Sequence, residues 1–321
     1  MDKWLLANRF INKSINKINM KKIPTVTIGI PAYNEEGNIH HLLLSLLKQN
    51  YQGIKLEQIL IISDGSTDNT VSEVKKIKSK FIKLIDRKKR LGIIKTQNQL
   101  LKHVKSDILV MLDADILPLG ENFIQKLAYP LLKDSSVGIV GAGTKSIKPN
   151  TLIEKILSQS HEMKNSFYTK INNGDNIYMC HGRARAFSAK IYKKIVWKGE
   201  CAEDAFSYLF CIKKGYKFVY QKNATVLFRS PSSLSDHIKQ SLRFTYGKKQ
   251  MEKYFSPEFV KKQYEIPNNL IIQTLLKYLI NNTLTISGYI LINIYVRIVG
   301  LFVKSNYETW NPPISTKKII I

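Results

Sequence analysis

Residues 107–115 read DILVMLDAD, an apolar run that ends in two aspartates separated by one residue. A run of this kind is typical of a strand buried on both faces, and we predict a strand over 107–112. Side chains alternate along an extended segment, so Asp113 and Asp115 should point the same way and share one pocket. A plain strand-end turn could also contain this triplet, so its meaning depends on its surroundings.

The sequence around this strand alternates between short β-rich runs and runs of helical periodicity. That alternation predicts an α/β fold, a mostly parallel sheet flanked by helices. Ligands bind such sheets at the carboxyl ends of the strands, so we expect function in the polar loops that follow them. The predicted strands cover 25–30, 58–62, 81–85, 107–112 and 137–140, and the predicted helices cover 35–49, 68–78, 94–104 and 121–132.

Composition excludes a disordered tail protein and favours anionic partners. The chain has 321 residues, 44% hydrophobic and 23% charged, which is enough to bury a sizeable core. Fifty Lys and Arg against 24 Asp and Glu give a net charge of +26, which attracts nucleic acid, nucleotide phosphates or acidic lipid. Cys180, Cys201 and Cys211 lack CxxC spacing, so we interpret them as buried thiols in a reducing compartment.

The acidic residues suggest chemistry on a phosphorylated substrate. Neighbouring carboxylates repel each other unless a cation compensates, and such oxygen ligands select Mg²⁺ or Mn²⁺ bound together with substrate phosphates. Asp64 follows the run ILIIS and suits either a turn or acceptance of an imide N–H from a nucleobase. Glu203 and Asp204 open a helical run, where acidic residues are ordinary. Asp204 becomes a candidate general base if the fold places it opposite Asp115.

Four elements, in this order, resemble the motif series of family 2 glycosyltransferases with the GT-A fold. They are Ile30-Pro31-Ala32-Tyr33-Asn34-Glu35, Ser63-Asp64-Gly65-Ser66-Thr67-Asp68, Asp113-Ala114-Asp115 and Glu203-Asp204. A fifth, Gln240-Ser241-Leu242-Arg243-Phe244, is similar to the Gln-x-x-Arg-Trp element of the synthase branch of that family. The resemblance covers about residues 24–250.

The resemblance implies an inverting enzyme that moves a sugar from a nucleotide-diphosphate sugar, most often a UDP-sugar, to an acceptor hydroxyl. It implies that the donor is bound by Pro31, Tyr33, Glu35 and Asp64 at the base and ribose and by Asp113 at the nucleoside. Asp115 would bind the metal, Mn²⁺ or Mg²⁺, and Asp204 would be the general base. Gln240 and Arg243 would contact the diphosphate or the growing product.

Several positions depart from the family pattern or occupy its acceptor side. Phe244 replaces Trp and lacks the indole N–H donor, and Gln97 stands where the family usually has Arg. Residues 179–187 take the place of a glycine-containing acceptor-side loop, in which His181 is either structural or an acceptor contact. Arg183 and Arg185 either face a phosphate-bearing acceptor or are plain exposed residues. The several long apolar spans of polysaccharide synthases are missing, so we expect one or a few sugars to be added to a lipid-linked or surface-polysaccharide precursor.

The two ends of the chain suggest membrane attachment. Residues 1–22 are predicted to form a basic amphipathic helix, retained after synthesis, that is docked on the body or contacts a membrane surface. Residues 284–303 are long enough to cross a bilayer but contain Asn293 and Arg297. With the apolar stretch 269–280 they form either a helical hairpin at the membrane interface or a buried C-terminal helix.

We therefore divide the chain into a basic N-terminal helix at 1–22, a GT-A catalytic domain at 23–235 and a membrane-associating helical region at 236–321. We expect the protein at the cytoplasmic face of the cell membrane, on anionic lipid, held peripherally or by an embedded C-terminal helix. Two alternatives remain. A sugar-nucleotide-forming nucleotidyltransferase would share the paired aspartates, but residues 31–36 are not its usual glycine-rich basic loop. A nucleic-acid-binding protein would explain the charge, and 248–255 interleaves basic and aromatic residues. No reader motif is present, so we expect no nucleic-acid partner.

Overall fold

The structure, a computed structural model, describes residues 23–199, 202–302 and 314–319, so the predicted helix at 1–22 and Cys201 lie outside it. The strands are β1 (Thr25–Ala32), β2 (Lys55–Asp64), β3 (Ile82–Arg87), β4 (Ile108–Leu112), β5 (Ile116–Pro118), β6 (Val137–Ser146), β7 (Ala184–Ser188) and β8 (Lys217–Phe228). The helices are α1 (Ile39–Leu47), α2 (Thr70–Lys76), α3 (Ile93–Lys102), α4 (Phe123–Lys133), α5 (Leu152–Tyr168), α6 (Ala189–Tyr192), α7 (Glu203–Lys213), α8 (Leu234–Met251), α9 (Pro257–Gln263), α10 (Asn268–Asn281) and α11 (Thr283–Phe302). Short 3₁₀ turns cover Ile171–Gly174 and Ile314–Thr316.

The strands form one mixed sheet in the order β3-β2-β1-β4-β7-β6-β8-β5. β1 pairs in parallel with β2 and β4, β2 with β3, and β6 with β8. β7 lies antiparallel between β4 and β6, and β5 lies antiparallel on β8. This confirms the predicted α/β fold of a sheet flanked by helices. The carboxyl ends of β1, β2 and β4 meet at one edge, which collects the polar loops.

Alternation along the central strands divides the buried side chains between two cores. Ile108 and Val110 of β4 pack into one core, and Leu109 and Met111 pack into the other. Because both faces of β4 are covered by apolar groups, the strand is fully buried and its sequence reads as a continuous apolar run. The chain first becomes polar at Asp113, where the strand ends.

Two parts of the sheet differ from the prediction. The segment expected to be an acceptor-side loop contains β7, whose Arg185 is 0% exposed. The suggestion that Arg185 faces an acceptor or is exposed is therefore wrong, because its guanidinium lies inside the protein. The strand β6 also extends well beyond the predicted 137–140, and it pairs with β8 along most of its length.

The C-terminal helices pack on the α/β body. α10 and α11 both lie against α5, and Ile286 and Val296 of α11 are buried. The ammonium of Lys164 on α5 lies 4.9 Å from the ring centroid of Tyr289. Within the described residues, α11 is the one helix long and apolar enough to cross a membrane, with a mean hydropathy of 1.6. The segment 314–319 returns to the polar edge of the sheet, where Ile319 joins the core beside β1.

Candidate active site

The loop after β1 carries the first group of candidate residues. Pro31 is buried at the end of β1, where it pairs in register with β2. The ring centroid of Tyr33 lies 3.8 Å from Cζ of Arg90, a cation–π contact. Glu35 is 7% exposed, and its Oε2 accepts a hydrogen bond from Asn38 Nδ2 at 3.1 Å. An aromatic face and a buried carboxylate therefore border this side of the site.

Three acidic side chains lie near one another after β1 and β4, of which Glu35 is buried and Asp113 and Asp115 are partly exposed. Burial raises the pKa of Glu35 to about 8 and that of Asp113 to about 7, and it also raises the pKa of Asp115. The charge of Asp115 further raises the pKa values of Glu35 and Asp113, because like charges at close range oppose ionisation. Asp113 and Asp115 therefore belong to a group of interacting acids as well as to the turn that ends β4.

The start of α7 presents two adjacent acids in different environments. Glu203 is 6% exposed, and its Oε1 lies 3.6 Å from Nη2 of Arg185. Its carbonyl oxygen accepts a hydrogen bond from Trp197 Nε1 at 3.1 Å. Asp204 is partly exposed, and its Oδ1 accepts the Ala205 N–H at 2.7 Å. Glu203 is thus held by structural contacts, whereas Asp204 retains access to solvent.

Arg183 lies among the acids of the two groups. Burial lowers the pKa of its guanidinium, and the negative charges of Asp115, Asp113 and Asp204 act in the opposite direction. The Cζ atom of Arg183 also lies 3.9 Å from the ring centroid of Phe228 at the end of β8. The guanidinium of Arg183 therefore lies near both the two aspartates that follow β4 and Asp204 at the start of α7.

The residues just before Arg183 form the wall between these acids. A Cβ atom on Gly182 would lie 3.1 Å from Oε1 of Glu203 and 3.7 Å from Oδ2 of Asp113, so glycine lets the backbone pass between them. The Nε2 of His181 donates to the Ala142 carbonyl at 2.9 Å in the tautomer that this contact requires. Burial lowers the pKa of His181 to about 3, so the ring is neutral. This placement supports the structural interpretation of His181.

Asp64 contacts a neighbouring loop. Its Oδ1 accepts hydrogen bonds from Arg87 Nη1 and from the Leu91 N–H, each at 2.8 Å, and its Oδ2 accepts from the Gly92 N–H at 2.8 Å. The carboxylate is 4% exposed and anchors the loop that carries Arg90. These three donors leave about one of the four acceptor sites of the carboxylate, so the direct contact of Asp64 with the base stays a prediction.

The fifth element lies on α8, close to α7. Arg243 is near enough to Glu203 and Arg183 for its charge to lower the pKa of both groups. Gln240 precedes Arg243 by three residues, so both lie on one face of α8, and both are partly exposed. The structure brings Arg243 to the acidic site and places Gln240 one turn away.

The donor set of Asp113 and Asp115 fits a divalent cation. Both are partly exposed carboxylates and would provide the hard oxygen ligands that Mg²⁺ and Mn²⁺ prefer. The described residues contain no group of three or more His, Cys, Asp or Glu that could hold a metal ion. Phosphate oxygens and water would therefore supply the other ligands, as is common for these ions.

One contributor to the site has no local sequence signal. Lys317, from the segment 314–319, pairs with Glu35 at 3.3 Å, and the Thr316 side chain is hydrogen-bonded to Asp115. The sequence ISTKK shows neither periodicity nor a motif. Lys317 and Tyr33 are more than 280 positions apart, so their contact can be seen only in the folded chain.

The family model named glycosyl transferase family 2 matches residues 27–196, more than half of the 321 residues. The chain belongs to this family. An uncharacterized glycosyltransferase of Haemophilus influenzae is 31% identical over 125 residues, 38% of each chain. Poly-beta-1,6-N-acetyl-D-glucosamine synthase of Staphylococcus aureus is 33% identical over 117 residues, 35% of this chain and 27% of the synthase. The match thus spans well under half of either relative.

Two solved structures share the fold. The mannosyltransferase PcManGT of Pyrobaculum calidifontis, in complex with GDP-Man and Mn²⁺, superposes with a TM-score of 0.55 at 16% identity. That alignment covers 94% of this chain and 84% of the other. Glucosyl-3-phosphoglycerate synthase of Mycobacterium tuberculosis, with Mn²⁺ and UDP-Glc, gives 0.52 at 15% identity, covering 70% and 77% of the two chains. At these identities the comparison confirms the GT-A type of fold expected for this chain.

Proposed function

We propose that this chain is an inverting, metal-dependent glycosyltransferase that uses a nucleotide-diphosphate sugar. The observation that carries the proposal is the arrangement of Asp113, Asp115 and Asp204 around Arg183, at the polar edge of a GT-A sheet. The other parts of the site agree with it. An aromatic ring at Tyr33 suits a nucleobase, and Arg243 suits a diphosphate.

In this proposal Asp204 acts as the general base. Its carboxylate takes the proton of the acceptor hydroxyl while that oxygen attacks the anomeric carbon, and the bond from that carbon to the diphosphate oxygen breaks. Attack from the face opposite the leaving group inverts the anomeric centre. Glu203 serves as a structural neighbour, because its buried carboxylate is paired with Arg185.

The donor side is formed by the loop after β1 and by the acids after β4. Pro31, Tyr33 and Glu35 border the base and ribose, Asp113 binds the nucleoside, and Asp115 holds the metal. A bound Mn²⁺ or Mg²⁺ supplies charge neutralisation for the departing diphosphate. Asp64 holds the loop that carries Arg90 and keeps an acceptor site for the base.

The relatives suggest the substrate class. One relative is named a poly-beta-1,6-N-acetyl-D-glucosamine synthase, and the structural neighbours are titled with UDP-Glc or GDP-Man. We infer a hexose or N-acetylhexosamine donor, with UDP as the preferred nucleotide. The acceptor that we infer is a hydroxyl of a lipid-linked or surface-polysaccharide precursor.

The C-terminal helices suggest attachment to the cytoplasmic face of the cell membrane. Large apolar side chains of α10 and α11 are exposed on the surface away from α5: Ile272, Leu276, Ile280, Leu284, Leu291, Ile294, Ile298, Leu301 and Phe302. α11 nevertheless contacts the body near both of its ends, at Ile286 and at Gly300, which lies against Leu242. A helix fastened to the body at both ends cannot cross a bilayer, so we infer that α11 lies in the membrane surface.

The test is a transfer assay with UDP-Glc, UDP-GlcNAc or GDP-Man, a membrane lipid extract, and MnCl₂ or EDTA. We expect release of nucleoside diphosphate and a glycosylated lipid by mass spectrometry, both only with metal. Asp204→Asn should retain donor binding and lower turnover about a hundredfold or more, because general bases contribute on that scale. Asp115→Ala should abolish the metal-dependent release.

Asp134→Asn is the matched control, since Asp134 lies at the protein surface beyond α4 and should leave transfer unchanged. Equal loss of donor binding and transfer in Asp204→Asn would remove Asp204 from the role of base. Metal-independent transfer by wild type, or full activity of Asp115→Ala, would contradict the proposed metal chemistry.

A further inference from the structure

The segment 314–319 reaches the β1–α1 loop through one ammonium group. Nζ of Lys317 donates to the carbonyl oxygens of Tyr33 at 2.5 Å and Asn34 at 2.8 Å, and it lies 3.3 Å from Oε1 of Glu35. An ammonium group has three N–H donors, so these oxygens account for all of them. Lys317 is therefore committed to the loop that borders the base side of the site.

The conformation of the loop brings two backbone carbonyls to this ammonium group. Asn34 has a φ of 53°, in the left-handed region that Asn adopts more readily than most residues with a side chain. Its own carbonyl and that of Tyr33 converge on the one ammonium group. A positive charge at this point stabilises the two carbonyls and the buried Glu35 together.

Further contacts make the segment a permanent part of the site. The Ile319 N–H donates to Asn38 Oδ1 at 2.9 Å, and the Ile319 side chain is buried beside β1. Ser315 Oγ donates to Asp236 Oδ2 at 2.6 Å at the start of α8. A peptide held by a buried side chain and by hydrogen bonds at two distant points is poorly suited to transient blockage of the site.

We propose that Lys317 is a positioning residue of the donor site, which holds the β1–α1 loop in the conformation that binds the nucleotide of the sugar donor. This inference rests on the proposed function, since it gives that loop a donor-binding role. Lys317 contacts none of the reacting groups in this scheme. Its effect should therefore fall on donor affinity and leave the chemical step unchanged.

The electrostatic surroundings support this placement. The Lys317 ammonium lies 3.3 Å from Oε1 of the buried Glu35 and 5.4 Å from the ring centroid of Tyr33. Loss of this charge would therefore remove a partner of both side chains on the base side of the site.

The experiment compares Lys317→Met with Lys318→Met in the full chain. Lys318 is the exposed neighbour, so its replacement makes the same change of charge and size outside the site. Titration with UDP and with GDP in MnCl₂ gives the dissociation constant, steady-state transfer gives KM and kcat, and thermal melting reports folding. For Lys317→Met we expect about tenfold weaker nucleotide binding and a matching rise in donor KM, as for loss of a charge-assisted hydrogen bond. The kcat should stay within about twofold, and Lys318→Met should match wild type.

Unchanged or tighter nucleotide binding by Lys317→Met would overturn the inference, and tighter binding would identify the segment as a plug. If Lys317→Met does not fold, Lys317→Arg carries the test. A planar guanidinium cannot direct three N–H groups from one nitrogen, so an intermediate loss of affinity is expected and wild-type affinity overturns the proposal. Binding that depends on Lys317 without any sugar transfer by wild type would instead refute the proposed function alone.

Discussion

Arg185→Met should strongly destabilise the fold, because it leaves a buried carboxylate without its counter-ion. Arg185 is 0% exposed, and its guanidinium contacts Oε1 of Glu203 at 3.6 Å, the Glu203 carbonyl at 3.3 Å and Ser207 Oγ at 3.1 Å. Removal of one member of a buried ion pair costs about 3–5 kcal/mol. That is a large part of the roughly 5–15 kcal/mol that stabilises an ordinary folded protein.

The ion pair between Arg185 and Glu203 is incompletely hydrogen-bonded, so we expect a different result when both residues are replaced. Among the described residues, Nε and Nη2 of Arg185 have no hydrogen-bond partner. Replacement of a buried ion pair by apolar residues of similar size is often neutral or stabilising. Arg185→Met combined with Glu203→Met should therefore be more stable than Arg185→Met alone, by about 2 kcal/mol or more.

The assay is urea unfolding, followed by circular dichroism, of wild type, both single variants and the double variant. Lys190→Met, an exposed change on the neighbouring α6, is the control and should shift the free energy of unfolding by less than about 0.5 kcal/mol. Additive single effects, or a loss below about 1 kcal/mol in Arg185→Met, would show that Glu203 does not depend on this guanidinium.

Two further predictions concern pH and the membrane. Glu35 has a pKa raised to about 8 by burial, above its ordinary 4.5, so the protonated form stabilises the fold. In EDTA the free energy of unfolding should fall as pH rises from about 4.5 to 8, by at most about 1.4 kcal/mol per pH unit for this proton. The variant Glu35→Gln should flatten that fall. An unchanged slope in Glu35→Gln would contradict the raised pKa of Glu35. The double variant Leu291→Glu, Leu301→Glu should lower co-sedimentation with anionic vesicles at least tenfold, because each exposed leucine contributes about 2 kcal/mol when it is buried in the membrane. The control Tyr129→Glu should bind the vesicles as wild type does. Undiminished binding of the double variant would exclude this face from membrane contact.

The central strands could be predicted because their pattern is local. β4 is buried on both faces by neighbouring strands and helices, so every position from Ile108 to Leu112 is apolar and the strand is visible without knowledge of the fold. Asp113 and Asp115 follow β4 directly, so the end of that strand fixes where they lie. Tyr33 and Glu35 follow β1 in the same way, but their part in the site was expected only from the resemblance to family 2 glycosyltransferases.

The remainder depends on contacts between distant segments. β7 escaped prediction because Arg185 stands at a buried position, and a charged residue there reads as a loop until its partner Glu203 is known. The contacts of Asp64 could not be predicted either, since nothing near it in sequence indicates that the Leu91 and Gly92 amides fold onto its carboxylate. In both cases a polar group is satisfied by a non-local partner.

The same physical requirement explains why the site draws on both ends of the described chain. Glu35 is buried and Asp113 and Asp115 are partly exposed near it, so nearby cations stabilise their charges. The cations of the protein that act on these acids include the guanidinium of Arg183 and the ammonium of Lys317. A metal and a donor diphosphate together bring little net charge, so they can enter without displacing either cation. In the proposed reaction these fixed cations offset the charge of the acids, so a metal held at Asp115 would be left to neutralise the charge that develops on the leaving group.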